Sequence, residues 1–153
     1  MSPRVSVAMT PAEVRALLEK ERTMTCATLG RDGWPHVIAL WYVVRDGTCW
    51  AWTYAKSQKV RNLERDPRCT LQVETGSAYH ELRGAMLKCR AVLHRDPAAV
   101  EEFGAALRER YGGAEVTPEL VDAMRAQAAK RVGLQFVERR RVSWDHRKLG
   151  GAQ

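Results

Sequence analysis

Lys56, Ser57, Gln58, Lys59 and Arg61 crowd the start of a short helical pattern inside WAWTYAKSQKVRNLERDP, Trp50 to Pro67. These residue types at this spacing suit the binding of an anion. Trp50 to Tyr54 reads as a strand, followed by a polar turn and a helix that stops at Asp66-Pro67. Ser57 stands where an N-cap is needed, its hydroxyl able to accept from the free backbone N–H groups of the first turn. Lys56 and Lys59 place positive charge at a helix start, where the macrodipole disfavours cations. A phosphate there would use the orphan N–H groups, the dipole and the lysines together. The alternative is that both lysines simply point into water, and spacing alone does not choose between the two.

No other catalytic machinery is legible. The chain has no Gly-x-Ser-x-Gly elbow, P-loop, dinucleotide fingerprint or metal-ligand triad. Cys26, Cys49, Cys69 and Cys89 are dispersed, each inside a predicted strand. Without a C-x-x-C or Cys/His cluster, a structural zinc is not expected and buried free thiols are the default. The four histidines are equally scattered. Carboxylate pairs such as Glu101-Glu102 fall on surface-like helices. An enzyme built this way needs a cofactor to carry the chemistry, with the protein supplying placement and electrostatics.

The elements that must position this stretch follow from periodicity. Thr10-Pro11-Ala12-Glu13 is a capping box with proline at the first helical position, and Val14, Leu17 and Leu18 mark one face of a helix to about Glu21. This helix is expected to plug one end of a barrel. Met24 to Leu29 is a strand ending in a turn at Gly30 to Gly33. Pro35 to Val44 reads as one long strand, and the turn at Arg45 to Thr48 leads into Cys49 to Tyr54. Asp-Gly turns between them predict a three-stranded meander. Val37 to Tyr42 is apolar on both faces, which predicts a central strand; Trp41 and Tyr42 are equally explained by core packing.

Cys69 to Glu74 is the next strand. Tyr79 to His94 follows as a long strand-like segment in which Gly84 predicts a bulge or bend. Helices are expected from Asp96-Pro97 to about Tyr111 and from Thr117-Pro118 to about Lys130. Gly133 to Trp144 is the last strand, and the tail from Asp145 to Gly151 is expected to be exposed. The whole reads as one domain over residues 1–153, an α+β barrel of about six strands with helices at its edges.

The pattern Ser57-Gln58-Lys59, Val60-Arg61-Asn62-Leu63, then Asp66-Pro67-Arg68 and a strand resembles the pyridoxamine 5'-phosphate oxidase-like superfamily. These are split β-barrel proteins that bind FMN or the deazaflavin coenzyme F-420. The likeness runs from about Thr23 to Leu149 and is specific at Ser57 to Pro67. It implies a homodimer with cofactor sites at the interface. By this resemblance the cofactor phosphate is held at Lys56 to Lys59 and Arg61. The ring lies along Val37, Ile38, Ala39, Leu40 and Trp41, near Trp52 and Thr53. Glu81, Arg83 and Trp144 are candidates from the partner subunit; Trp144 either covers the ring or packs the barrel end. The reaction implied is hydride transfer between the cofactor and a small unsaturated or conjugated substrate, with no side chain marked as proton donor.

Two features favour the deazaflavin branch. One is the pairing of Lys-Val-Arg-Asn-Leu with the closing Ser-Trp-Asp-x-x-Lys-Leu, Ser143 to Leu149. The other is the net charge of +7, which suits an anionic oligoglutamate tail. FMN stays open, because Ser57 and Gln58 stand where many relatives place an arginine. The substrate-phosphate motif of pyridoxamine-phosphate oxidases proper is missing, which argues against vitamin B6 oxidation. A non-catalytic carrier of flavin or haem is the other class, with His36, His80 or His146 as haem candidates. The charge comes with no nucleic-acid-binding motif, and no apolar run is long enough to cross a bilayer. MSPRVSVAMTP has no apolar signal core, so the expected location is the cytoplasm.

Overall fold

The computed structural model describes residues 6–113 and 115–150. Its frame is one antiparallel seven-stranded sheet in the order β2-β1-β5-β6-β7-β4-β3. The strands are β1 (Met24–Leu29), β2 (Pro35–Leu40), β3 (Val43–Arg45), β4 (Thr48–Tyr54), β5 (Arg68–Thr75), β6 (Arg83–His94) and β7 (Arg131–Asp145). Four α-helices accompany them: α1 (Pro11–Lys20), α2 (Gln58–Arg65), α3 (Pro97–Arg110) and α4 (Pro118–Ala128). The sheet curls into a split β-barrel of the α+β class.

Alternation on the strands explains the curl. Met24 and Cys26 on β1, Cys49 and Ala51 on β4, Leu71 and Val73 on β5, Leu87 and Cys89 on β6, and Leu134 and Phe136 on β7 all point into one core. Val14, Leu17 and Leu18 of α1 enter that same core. All four cysteines are buried free thiols. Each helix begins as capping chemistry dictates: Thr10 and Glu13 complete the box at α1, while Asp96 and Thr117 cap the proline-led α3 and α4.

The meander expectation fails at Trp41-Tyr42. The segment read as one strand is two: β2 pairs with β1, while β3 pairs with β4 at the far side of the sheet. No glycine or proline marks the break. It is a tertiary effect centred on Tyr42, which is fully buried. The Tyr42 hydroxyl donates to the carbonyls of Leu18 at 2.6 Å and Glu21 at 3.1 Å, and its backbone N–H donates to the Tyr111 hydroxyl at 3.1 Å. Arg110 Nη1 donates to the Tyr42 carbonyl at 2.7 Å. These partners take the backbone groups that a continuous ladder would have used.

β2 is therefore an edge strand, not a central one, and Val37, Ile38 and Trp41 are 60%, 42% and 60% exposed. Gly84 makes no bulge; it pairs in register with Glu74 and Trp144, and the shift falls at Lys88/Cys89. What Gly84 supplies is room, since a Cβ there would sit 2.6 Å from the Trp144 ring. Tyr79–Glu81 is a 3-10 turn rather than the start of β6. Nor is the tail loose: Asp145 is buried, His146–Leu149 forms a 3-10 turn, and Lys148 pairs with Glu13 at 2.9 Å. Gly151 of that tail and the first five residues lie outside the described residues.

Candidate cofactor site

α2 begins as its sequence requires. Ser57 sits in extended conformation and its hydroxyl accepts from the Val60 N–H at 3.4 Å. Behind the cap, Asn62 is fully buried; its amide donates to the Thr28 hydroxyl at 3.0 Å and its carbonyl oxygen accepts from Gln58 at 2.9 Å. These bonds fix the helix on β1, so the turn at Ser57 is held rather than flexible.

Lys59 does not point into water. It is 4% exposed and donates from Nζ to the Thr53 hydroxyl at 2.6 Å. Burial holds its ammonium below the usual lysine range; Arg131 pushes the same way, and Cys26 opposes both. Among the described residues neither Lys59 nor Arg131 forms an ion pair.

Both cations open onto a cleft of about 780 Å³. One wall is the edge strand and its continuation, Ile38 to Trp41, and another is the end of β4, Trp52 to Tyr54. Ser57 and Lys59 contribute from α2, Gly104, Leu107 and Arg108 from α3, and Gln127 and Arg131 from the α4–β7 junction. Trp41 stacks on Tyr111 with ring centroids 4.4 Å apart and planes 6° from parallel. The lining holds three cationic side chains and no carboxylate. Aromatic and aliphatic walls beside a positive corner suit a flat heterocycle carrying a phosphate.

Most of the residues expected at the ring and phosphate converge here: Ile38, Ala39, Leu40, Trp41, Trp52, Thr53, Ser57 and Lys59. Gln58 and Arg61 face the other side of α2. They line a second hollow of about 880 Å³ with Arg31, Trp34, His36 and Arg65. Val37 and Lys56 are exposed and border neither. Glu81, Arg83 and Trp144 gather around the ends of β6 and β7, where Arg83 pairs with Asp145 and Trp144 donates to Glu74 at 3.0 Å. Within the chain they stand at the opposite end of β7 from Arg131.

Tyr111, Arg131 and Gly104 went unforeseen. None sits in a local motif; they reach the cleft only because α3 lies across β4 and β7 returns beside it. Gly104 is needed there, because a Cβ at that position would meet the Trp52 ring. Gly104→Ala is expected to push that indole toward the cleft. Overpacking of about 1–3 kcal/mol should outweigh or cancel the roughly 1 kcal/mol gained in helix propensity. Thermal melting and a red shift of Trp emission check this; an unchanged spectrum with a raised melting point would contradict it.

Residues 10–144 match the pyridoxamine 5'-phosphate oxidase family. The chain belongs to this family. No curated protein matches the sequence. A conserved hypothetical protein of Mycobacterium tuberculosis is 43% identical, with a TM-score of 0.88 over 98% of this chain and 93% of that one. A structure titled F-420 reductase shares 24% identity and a TM-score of 0.67, covering 83% of this chain and 94% of its own. A FAD-binding protein of Mesorhizobium loti shares 15% identity with a TM-score of 0.66, over 89% and 94% of the two chains. The last two likenesses are of fold alone. The family's fold is that of flavin-binding oxidoreductases, and the cleft at Ser57 and Lys59 lies on it. No helix among the described residues is long and apolar enough to cross a membrane.

Proposed function

We propose that this protein is an oxidoreductase that uses coenzyme F-420 to reduce or oxidise a small unsaturated or conjugated substrate. The observation that carries the reading is the cleft lining, with an apolar bed on Ile38 to Trp41, three cations and no carboxylate. These residues fit a phosphorylated deazaflavin, which when bound supplies the two-electron chemistry that no side chain here provides. Ile38 to Trp41 and Trp52 would bound the ring. Ser57, Lys59 and Arg131 would hold the anion, and the Lys59–Thr53 bond keeps that lysine from collapsing into solvent. Trp41 and Tyr111, stacked together, would extend the same wall as a flat aromatic surface.

The homodimer belongs to this proposal. β2 leaves Val37, Ile38 and Trp41 uncovered at a sheet edge, a surface that a second copy would bury. Such a copy would also supply the Glu81, Arg83 and Trp144 cluster that one protomer keeps away from its own cleft. The cytoplasm is the proposed location.

Titrating apo-protein with coenzyme F-420 and, separately, FMN tests the reading through tryptophan fluorescence. Trp41 and Trp52 border the cleft, so saturable quenching is expected, and it should be tighter for coenzyme F-420. Tighter FMN binding would make this an FMN-dependent member with the same site. No binding of either would defeat the proposal.

A further inference from the structure

Only Ala128 of α4 is fully buried, whereas α1, α2 and α3 each bury three residues or more. Leu120, Val121 and Met124 are half-buried, and Val116 ahead of the helix is 67% exposed. Val121 and Met124 line a groove of about 790 Å³ whose opposite wall, on α3, includes Ala98 and Ala105. Glu101 of α3 and Arg125 of α4 pair at 3.8 Å and tie the two walls together. The groove holds three carboxylates, Glu101, Glu102 and Glu109, beside two guanidiniums, Arg108 and Arg125. Its charges nearly balance, whereas the cleft carries three cations and no carboxylate. An apolar, uncharged molecule suits such a lining and an anion does not.

Groove and cleft adjoin, since Arg108, Gly112 and Gly113 border both. Gly112 follows α3 with a φ of +79°, and the Gly113 N–H donates to the Arg108 carbonyl at 2.9 Å. Neither glycine carries a side chain, so the sill between the two hollows is bare backbone. At Gly113 even a Cβ would meet the Arg108 side chain.

We propose that the α3–α4 groove is a substrate site, holding the apolar, uncharged body of a molecule whose reactive end crosses the glycine sill into the cleft. Its role for a substrate rests on the cofactor reading above; its affinity for neutral hydrophobic ligands does not. The substrate class is thereby narrowed to elongated neutral hydrophobes, and organic acids and phosphate esters are disfavoured.

The probe is N-phenyl-1-naphthylamine, a neutral fluorophore that brightens in apolar surroundings. Wild-type protein is expected to bind it saturably, and saturating coenzyme F-420 should not displace it. Met124→Trp and Ala105→Trp fill the groove from opposite walls, both at positions that are not fully buried, and circular dichroism checks that each variant folds. Each is expected to weaken the probe by about tenfold or more, because an indole takes the space that its rings need. The dissociation constant of coenzyme F-420, measured by calorimetry, should stay as in wild type. No saturable binding to wild type, equal binding to both variants, or displacement by coenzyme F-420 would each overturn the proposal. If wild type binds no coenzyme F-420 yet both variants lose the probe, the groove stands as a site for neutral hydrophobes and its substrate role falls with the cofactor reading.

Discussion

Arg110→Ala is expected to lower the unfolding free energy by about 3–5 kcal/mol, the effect of stripping several charge-assisted bonds from part-buried acceptors. Arg110 Nη2 donates to the carbonyls of Leu18 at 2.9 Å, Glu19 at 3.0 Å and Glu21 at 2.5 Å, while Nη1 reaches the Tyr42 carbonyl. The first three lie at the C-terminal end of α1, where the helix dipole favours a cation. Its guanidinium also sits 4.4 Å from the Tyr42 ring centroid. One side chain from the end of α3 therefore closes α1 and holds the break between β2 and β3. Urea denaturation would measure the loss, with Arg110→Lys recovering part of it. A change below about 1 kcal/mol would mean that water replaces the guanidinium at these carbonyls.

The second large effect is alkaline unfolding. Burial raises the thiols of Cys26 to about 11 and of Cys49 and Cys89 to about 12, and pushes Cys69 higher still, all from 9.0. The sign follows directly. Groups whose folded values are raised lend stability that is fully present below the unfolded value and is lost as pH rises toward the folded one. Between about pH 9 and pH 11 the unfolded chain releases thiol protons that the folded chain keeps. Four thiols together give a slope near 5 kcal/mol per pH unit, enough to erase a typical stability. Lys59 works in the opposite direction, since its folded value is lowered, but it is one group against four. Urea titrations under reductant at pH 8, 9 and 10 should show the fall, and Cys69→Ala should shallow the slope by about a quarter. Stability that stays level to pH 10.5 would contradict the burial of these thiols.

The sequence disclosed what is local. Ser57 as a cap, the proline-led helix starts and the Asp-Gly turns each depend on a few neighbouring residues, and each stands where periodicity and capping rules put it. The turn at Ser57 carried the family likeness for the same reason. What escaped depends on contacts distant in sequence. Val37, Ile38 and Trp41 look like core by composition, yet they lie on an edge, because periodicity reports that a residue is apolar and not what covers it. The break at Trp41-Tyr42 is dictated by Leu18, Glu21, Arg110 and Tyr111, none of them nearby in the chain. Arg131 looked like any other cation among 25 lysines and arginines. Only the pairing of β7 with β4 sets it over Trp52 and beside Lys59.

That placement of β7 also dictates the order of assembly. The last strand of the chain lies between β6 and β4, and the β3–β4 hairpin touches the rest of the sheet only through it. As the chain leaves the ribosome, the hairpin carrying Trp52 and Thr53 waits for Arg131 to Phe136 before it has a partner. The cleft beside Lys59 and Trp52 is thus among the last features to form, and refolding should be paced by this long-range closure rather than by the helices. Until then β4 offers an unpaired edge rich in tryptophan, which is the stage at which a newly made chain is most exposed to aggregation.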